Sequence, residues 1–117
     1  MFHILHRDDQ RKGAIAAVEF EGEPYRAGVS FFIGDLEPGK GPRLHKHPYP
    51  ETCIVQSGQA RMIVDGEEVI AGPGDIVVIA PETPHRFTAT ADERLVAACI
   101  HASDRFIIEW LGDASRP

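Results

Sequence analysis

A chain of 117 residues has the size of one domain, and 43% apolar residues are too many for a disordered one. Its 18 acidic and 12 basic residues give a net charge of −6, and the basic residues form no run, so nucleic acid is excluded as a partner: a phosphate backbone is held by a basic patch. No apolar stretch approaches the roughly 18 residues a membrane helix requires, and MFHILHRDDQRKG lacks the charged start and apolar core of a secretory signal, so the expected location is cytoplasmic. Two cysteines, Cys53 and Cys99, form no C-x-x-C, and in that compartment they read as reduced thiols.

The predicted elements are short β-rich runs cut by Gly, Pro and Asp. In chain order, residues 14–20 and 26–33 are the first strands, with Gly28 as a bulge. The loop GDLEPGKGP follows, then runs at 43–47, 52–56, 60–64, 67–71, 76–80, 85–89 and 94–101. Asp65-Gly66 between MIV and EEVI is a two-residue hairpin signal, and Ser57-Gly58 and Gly72-Pro73-Gly74-Asp75 mark further turns. The tail alone reads as helix: Ser103 or Asp104 as cap, residues 105–111 as body with Phe106 and Trp110 on one face, Gly112 as stop. Such a series, with turns about every 8 to 12 residues, implies a barrel or sandwich. An up-and-down barrel and an immunoglobulin-like sandwich both fit, although Trp110 lies beyond both cysteines and so cannot form a Cys-Trp-Cys core.

The stretch LHKHPYPE carries the chemistry. On a strand, residues i and i+2 share a face about 7 Å apart, so His45 and His47 can converge on one ion. Neither proline of Pro48-Tyr49-Pro50 fits inside a central strand, so the chain turns there and Glu51 opens the next strand facing back. The segment from Gly39 to Gly58 reads G-x5-H-x-H-x3-E-x6-G, and GDIVVIAPETPHRF downstream adds His85.

In these two stretches, 39–58 and 74–89, the chain resembles the cupin superfamily, specifically a small single-domain cupin. The first stretch fills every signature position at the family spacing. The second departs from the pattern: Ala80 replaces proline with Pro81 one place later, Glu82 replaces glycine, and Ala89 stands where asparagine is common. Loss of glycine at 82 predicts a differently shaped turn, with Pro81 at its first corner. The resemblance covers roughly residues 25–101 and implies an all-β, RmlC-like double-stranded β-helix or jelly-roll barrel over residues 1–117, here closed by the short C-terminal helix. It implies His45, His47, Glu51 and His85 as ligands of one divalent transition-metal ion. Three imidazoles and a carboxylate suit Fe, Mn, Co, Ni, Cu or Zn.

Strand parity then points Arg43, Cys53 and Phe87 inward beside the ligands, with Tyr49 in the turn between them; these four are the candidate substrate contacts. Two have a plainer reading, Arg43 in a salt bridge at the mouth and Tyr49 facing solvent, and Cys53 is also a candidate extra ligand or redox group. Phe31, Phe32 and Met62 read as barrel packing, and His3, His6 and His101 as surface or packing histidines. The resemblance implies a metal-dependent enzyme on a small organic substrate, an oxygenase such as a dioxygenase, or an isomerase or decarboxylase. A non-catalytic ligand-binding or sensing module and a purely structural ion are the alternatives. It also implies a homodimer, with residues 14–20 and the Trp110 segment as interface pieces.

Overall fold

The computed structural model describes residues 1–13 and 16–112. Ala14 and Ile15, the start of the first expected strand, lie outside the described residues. One five-stranded sheet runs in the order β1 (Ala16–Phe20), β2 (Ser30–Leu36), β9 (Leu95–His101), β4 (Glu51–Ser57), β7 (Ile76–Ile79). The second runs β10 (Glu109–Trp110), β3 (His45–Lys46), β8 (His85–Ala89), β5 (Ala60–Val64), β6 (Glu67–Ala71). Their pairings are antiparallel. From β2 onward the chain crosses between sheets at every connection except the β5–β6 hairpin. This is the jelly-roll barrel.

Period-two alternation builds the interior. On β9, Leu95, Ala97, Cys99 and His101 are buried; on β4, Glu51, Cys53 and Val55; on β8, His85, Phe87 and Ala89. Leu36, Val55, Met62, Ile79, Phe87 and Leu95 close the core, so most of the barrel is filled by side chains. Burying each of the larger ones contributes about 1.5–3 kcal/mol. The polar members of the alternation stand at strand ends: Glu51 begins β4, His85 begins β8 and His101 ends β9. In antiparallel neighbours those ends meet, which collects the polar groups at one end of the core.

Three sequence expectations are corrected. The second strand begins at Ser30, not at residue 26: Glu23–Tyr25 form a 3-10 turn and Arg26 sits in the left-handed region at φ 54°, which no strand continues. The tail is not helical. Its backbone groups are taken by the barrel: Phe106 N–H donates to Glu21 Oε2 (3.0 Å), Ile107 N–H to Tyr49 Oη (3.1 Å), and β10 pairs with β3. A helix would have to surrender all of these. The turn at 82 keeps a glycine-like backbone without glycine: Pro81 is its first corner, Glu82 adopts φ 62°, and the Glu82 carboxylate pairs with Lys46 at 3.1 Å. The expected hairpin stands, with positive φ at both Asp65 and Gly66 as its two-residue turn demands.

Gly39 and Gly58, the two ends of the first motif, both have φ near +80° (80° and 76°). They differ in their surroundings. A Cβ on Gly58 would collide with the Arg94 carbonyl, whereas one on Gly39 meets open space. Gly58→Ala is therefore expected to cost about 3 kcal/mol, and Gly39→Ala about 1 kcal/mol from backbone strain alone. Urea unfolding followed by circular dichroism measures both; equal losses would show that the collision relaxes freely.

Candidate metal centre

Strand pairing assembles the site from two cross-strand couples. His45 of β3 lies opposite His85 of β8 in one sheet; Glu51 of β4 lies opposite His101 of β9 in the other. His47 follows β3 and shares the face of His45, with ring centroids 4.9 Å apart. One ligating atom from each of His45, His47, Glu51 and His85 falls within 4.8 Å of all the others, and all four residues are buried.

Hydrogen bonds set the tautomers. His45 Nδ1 meets the Arg43 carbonyl at 2.7 Å, His47 Nδ1 the Ile107 carbonyl at 2.9 Å, and His85 Nδ1 the Thr83 carbonyl at 2.8 Å. A carbonyl only accepts, so each Nδ1 carries the proton and each neutral ring turns an Nε2 lone pair inward. Glu51 Oε1 stands 3.1 Å from His47 Nε2 and 3.0 Å from His85 Nε2. Two lone-pair nitrogens that close to a carboxylate oxygen repel it unless a cation, either a proton or a metal ion, lies between them. The donor set, three imidazole nitrogens and one carboxylate with each ring oriented by a backbone carbonyl, fits a transition-metal ion.

Titration follows the same geometry. Burial would raise the Glu51 carboxyl, but His101, His47 and His85 together hold it well below the usual carboxylate range. Burial pushes His45 down to about 4, against the Arg43 carbonyl that favours its charged form. Burial also acts to lower His85, yet the Glu51 carboxylate overrides it and leaves this ring above its ordinary 6.5.

His101, read from sequence as a surface or packing residue, is a correction: it is 1% exposed and belongs to this site. Tyr49 Oη accepts from Ile107 N–H, and burial pushes its phenol above the ordinary value, so it keeps its proton. That proton goes to His101 Nδ1, 2.6 Å away. His101 is thus the opposite tautomer from the other three, with Nε2–H turned inward. This Nε2 is buried without a hydrogen-bond partner, and Glu51 Oε2 lies 3.4 Å off. Parity along β9 is the one signal available for His101, and because Val96, Ala98 and Ile100 are apolar too, the inward face of that strand cannot be told from its pattern.

Above the histidines opens a cavity of about 550 Å³ lined by Glu19, Phe32, Gly41, Pro42, Arg43, His45, His47, His101, Phe106, Ile108 and Trp110. Of the four expected substrate contacts, Arg43 lines it. Its guanidinium is stacked 5.1 Å over the Trp110 ring rather than drawn into a salt bridge. Tyr49 is buried behind His47, ring on ring at 5.1 Å and 7°, and neither faces solvent nor lines the cavity. Cys53 and Phe87 lie in the core beneath the site. Cys53 Sγ sits 3.6 Å from Glu51 Oε2, and the neighbouring Cys99 together with burial pushes its thiol well above the ordinary range, so it is not poised as a thiolate. Phe106, Ile108 and Trp110 reach the lining because the tail runs along the barrel instead of coiling into the expected helix. His3 and His6 are exposed, as expected.

The family model of the cupin domain matches residues 32–101, more than half of the chain. The protein belongs to the cupin family. Among solved structures it is similar to a cupin-like protein of Thermotoga maritima, with 28% identity over 82% of this chain and 74% of that one at a TM-score of 0.73. It is also similar to a cupin protein of Bacteroides fragilis, with 27% identity, 81% and 85% covered and a TM-score of 0.66. An oxalate decarboxylase of Lactobacillus farciminis, solved as a formate complex, shares the fold at a TM-score of 0.79 but only 20% identity; this chain spans 35% of it and is itself covered to 91%. No curated protein matches the chain.

The tautomers are directly observable. In zinc-loaded protein, long-range proton–nitrogen spectra of the imidazoles are expected to show Nδ1–H for His45, His47 and His85, and Nε2–H for His101. Tyr49→Phe is expected to cost about 1–3 kcal/mol, because it strands the Ile107 N–H and frees His101 Nδ1 from its donor. An Nδ1–H signal from His101 in the unaltered protein would contradict the assignment.

Proposed function

We propose that this cupin is a metal-dependent enzyme of the oxygenase type acting on a small organic molecule, with His45, His47, Glu51 and His85 holding one divalent transition-metal ion. The observation that carries the reading is the meeting of three inward Nε2 lone pairs and one carboxylate within 4.8 Å, directly beneath a cavity large enough for a substrate. Bound there, the ion supplies Lewis acidity and, for a redox-active metal, electron-transfer chemistry. The chain's own residues do the rest. Backbone carbonyls of Arg43, Thr83 and Ile107 keep the rings aimed, the barrel core closes the site from below, and Phe32 and Phe106 give the cavity apolar wall beside it.

A structural ion alone gives no reason for a cavity beside the ligands. Decarboxylation is a version of the same reading, since fold relatives include an oxalate decarboxylase. A homodimer is the expected assembly, with β1 at an edge of its sheet as the face for a second copy.

Elemental analysis of untagged protein is expected to show about one equivalent of iron, manganese, nickel, cobalt, copper or zinc per chain, lost in His45→Ala and His85→Ala. Oxygen consumption or substrate turnover is expected to disappear with it; full activity in metal-free protein would overturn the proposal. A ligand that binds only with metal and is recovered unchanged would instead identify a binding module.

Acid should release the ion, because a protonated imidazole cannot ligate. His85 takes up its proton first, as its value is raised above 6.5, whereas His45 resists until about pH 4. Metal retention after dialysis is therefore expected to be complete near pH 8 and to fall as pH drops through 7 to 5. Unchanged metal content at pH 5 would contradict this.

A further inference from the structure

We infer that the cavity over the metal centre takes a singly charged organic acid with an apolar, ring-sized body, rather than a compact dianion such as oxalate. The inference rests on the proposed function for its setting, but the preference itself comes from the cavity wall. Phe32, Phe106, Ile108 and Trp110 supply that wall, with Phe32 and Phe106 packed beside His101 and Trp110 beside His45. A two-carbon dianion would leave most of this apolar surface and of the roughly 550 Å³ to water.

The charges on the lining point the same way. Glu19 also borders the cavity, and it shares Arg11 with Glu21, each at 3.3 Å. Arg43 has no carboxylate partner among the described residues; its guanidinium lies over Trp110 instead. Arg43 is thus a cation on the lining without an acidic partner among the described residues, and guanidinium suits a carboxylate. His101 also borders the cavity, its Nε2 3.4 Å from Glu51 Oε2. Ring-sized bodies suit the remainder, because Trp110 and Phe106 offer aromatic surface on the wall.

Trp110 is the only tryptophan in the chain, so its emission reports on the cavity directly. Calorimetric titration of the protein as purified with benzoate, acetate, benzyl alcohol and oxalate, alongside Trp110 emission, tests the inference. Benzoate is expected to bind at least tenfold more tightly than any of the other three and to change Trp110 emission saturably. Arg43→Gln is expected to weaken benzoate about fivefold or more while leaving benzyl alcohol unchanged. Ile108→Ser, at an exposed position that folding tolerates, is expected to weaken benzoate and not acetate. Acetate or oxalate binding as tightly as benzoate, or benzoate binding with Trp110 emission unaltered, would overturn the inference. Metal content measured on the same sample separates the two claims. A metal-free sample sinks the proposed function and leaves the benzoate preference measurable, whereas a metal-bearing sample without that preference sinks only the substrate class.

Discussion

A carboxylate buried among four imidazoles is the constraint on which the arrangement depends. Glu51 is 2% exposed, and an unpaired charge at that depth would cost several kcal/mol. The barrel answers with partners drawn from both sheets: His101 lies directly across from it in its own sheet, while His45 and His85 come from the other and His47 from the turn leading into Glu51. The two carboxylate oxygens have separate surroundings. Oε1 faces His47 and His85; Oε2 faces His101 and Cys53. One oxygen is thus available to an ion while the other is held by the protein.

Tautomers divide the histidines into two kinds of chemistry. Three rings present electron pairs because backbone carbonyls hold their outer nitrogens, and one presents a proton because a buried tyrosine holds its outer nitrogen. Burial alone cannot make this distinction, since all four are nearly inaccessible. What separates an inward lone pair from an inward proton is the group standing behind each ring, supplied by loops before β3, β4 and β8 and by the tail after β9.

The sequence made the barrel and the four-residue cluster legible because both rest on local spacing. His45 and His47 are two apart, the Pro-Tyr-Pro turn is short, and Asp65-Gly66 matches the backbone its hairpin needs. What escaped the sequence depended on distant partners. Residues 105–111 carry an amphipathic pattern and a stop glycine, yet their backbone is claimed by Glu21, Tyr49 and β3 from far along the chain. Tyr49 sits in an ordinary-looking turn, and its distant partners, His101 fifty-two positions on and Ile107 fifty-eight on, give it a reason to be buried. At position 82 the family's glycine is absent but its backbone conformation remains, held by Pro81 and the contact of Glu82 with Lys46.

Ile107 joins the two themes. Its carbonyl orients His47, its amide hydrogen serves Tyr49, and its side chain remains 40% exposed. Both services come from the main chain, which every residue except proline can provide. The length of the tail is therefore under strict geometric control, while its side-chain identities at 107 and the neighbouring 108 are comparatively unconstrained. Substitutions there can remodel one wall of the cavity without disturbing the aim of the histidines; a one-residue insertion would shift both contacts at once. The cavity wall can thus drift on a scaffold whose histidine geometry stays unchanged.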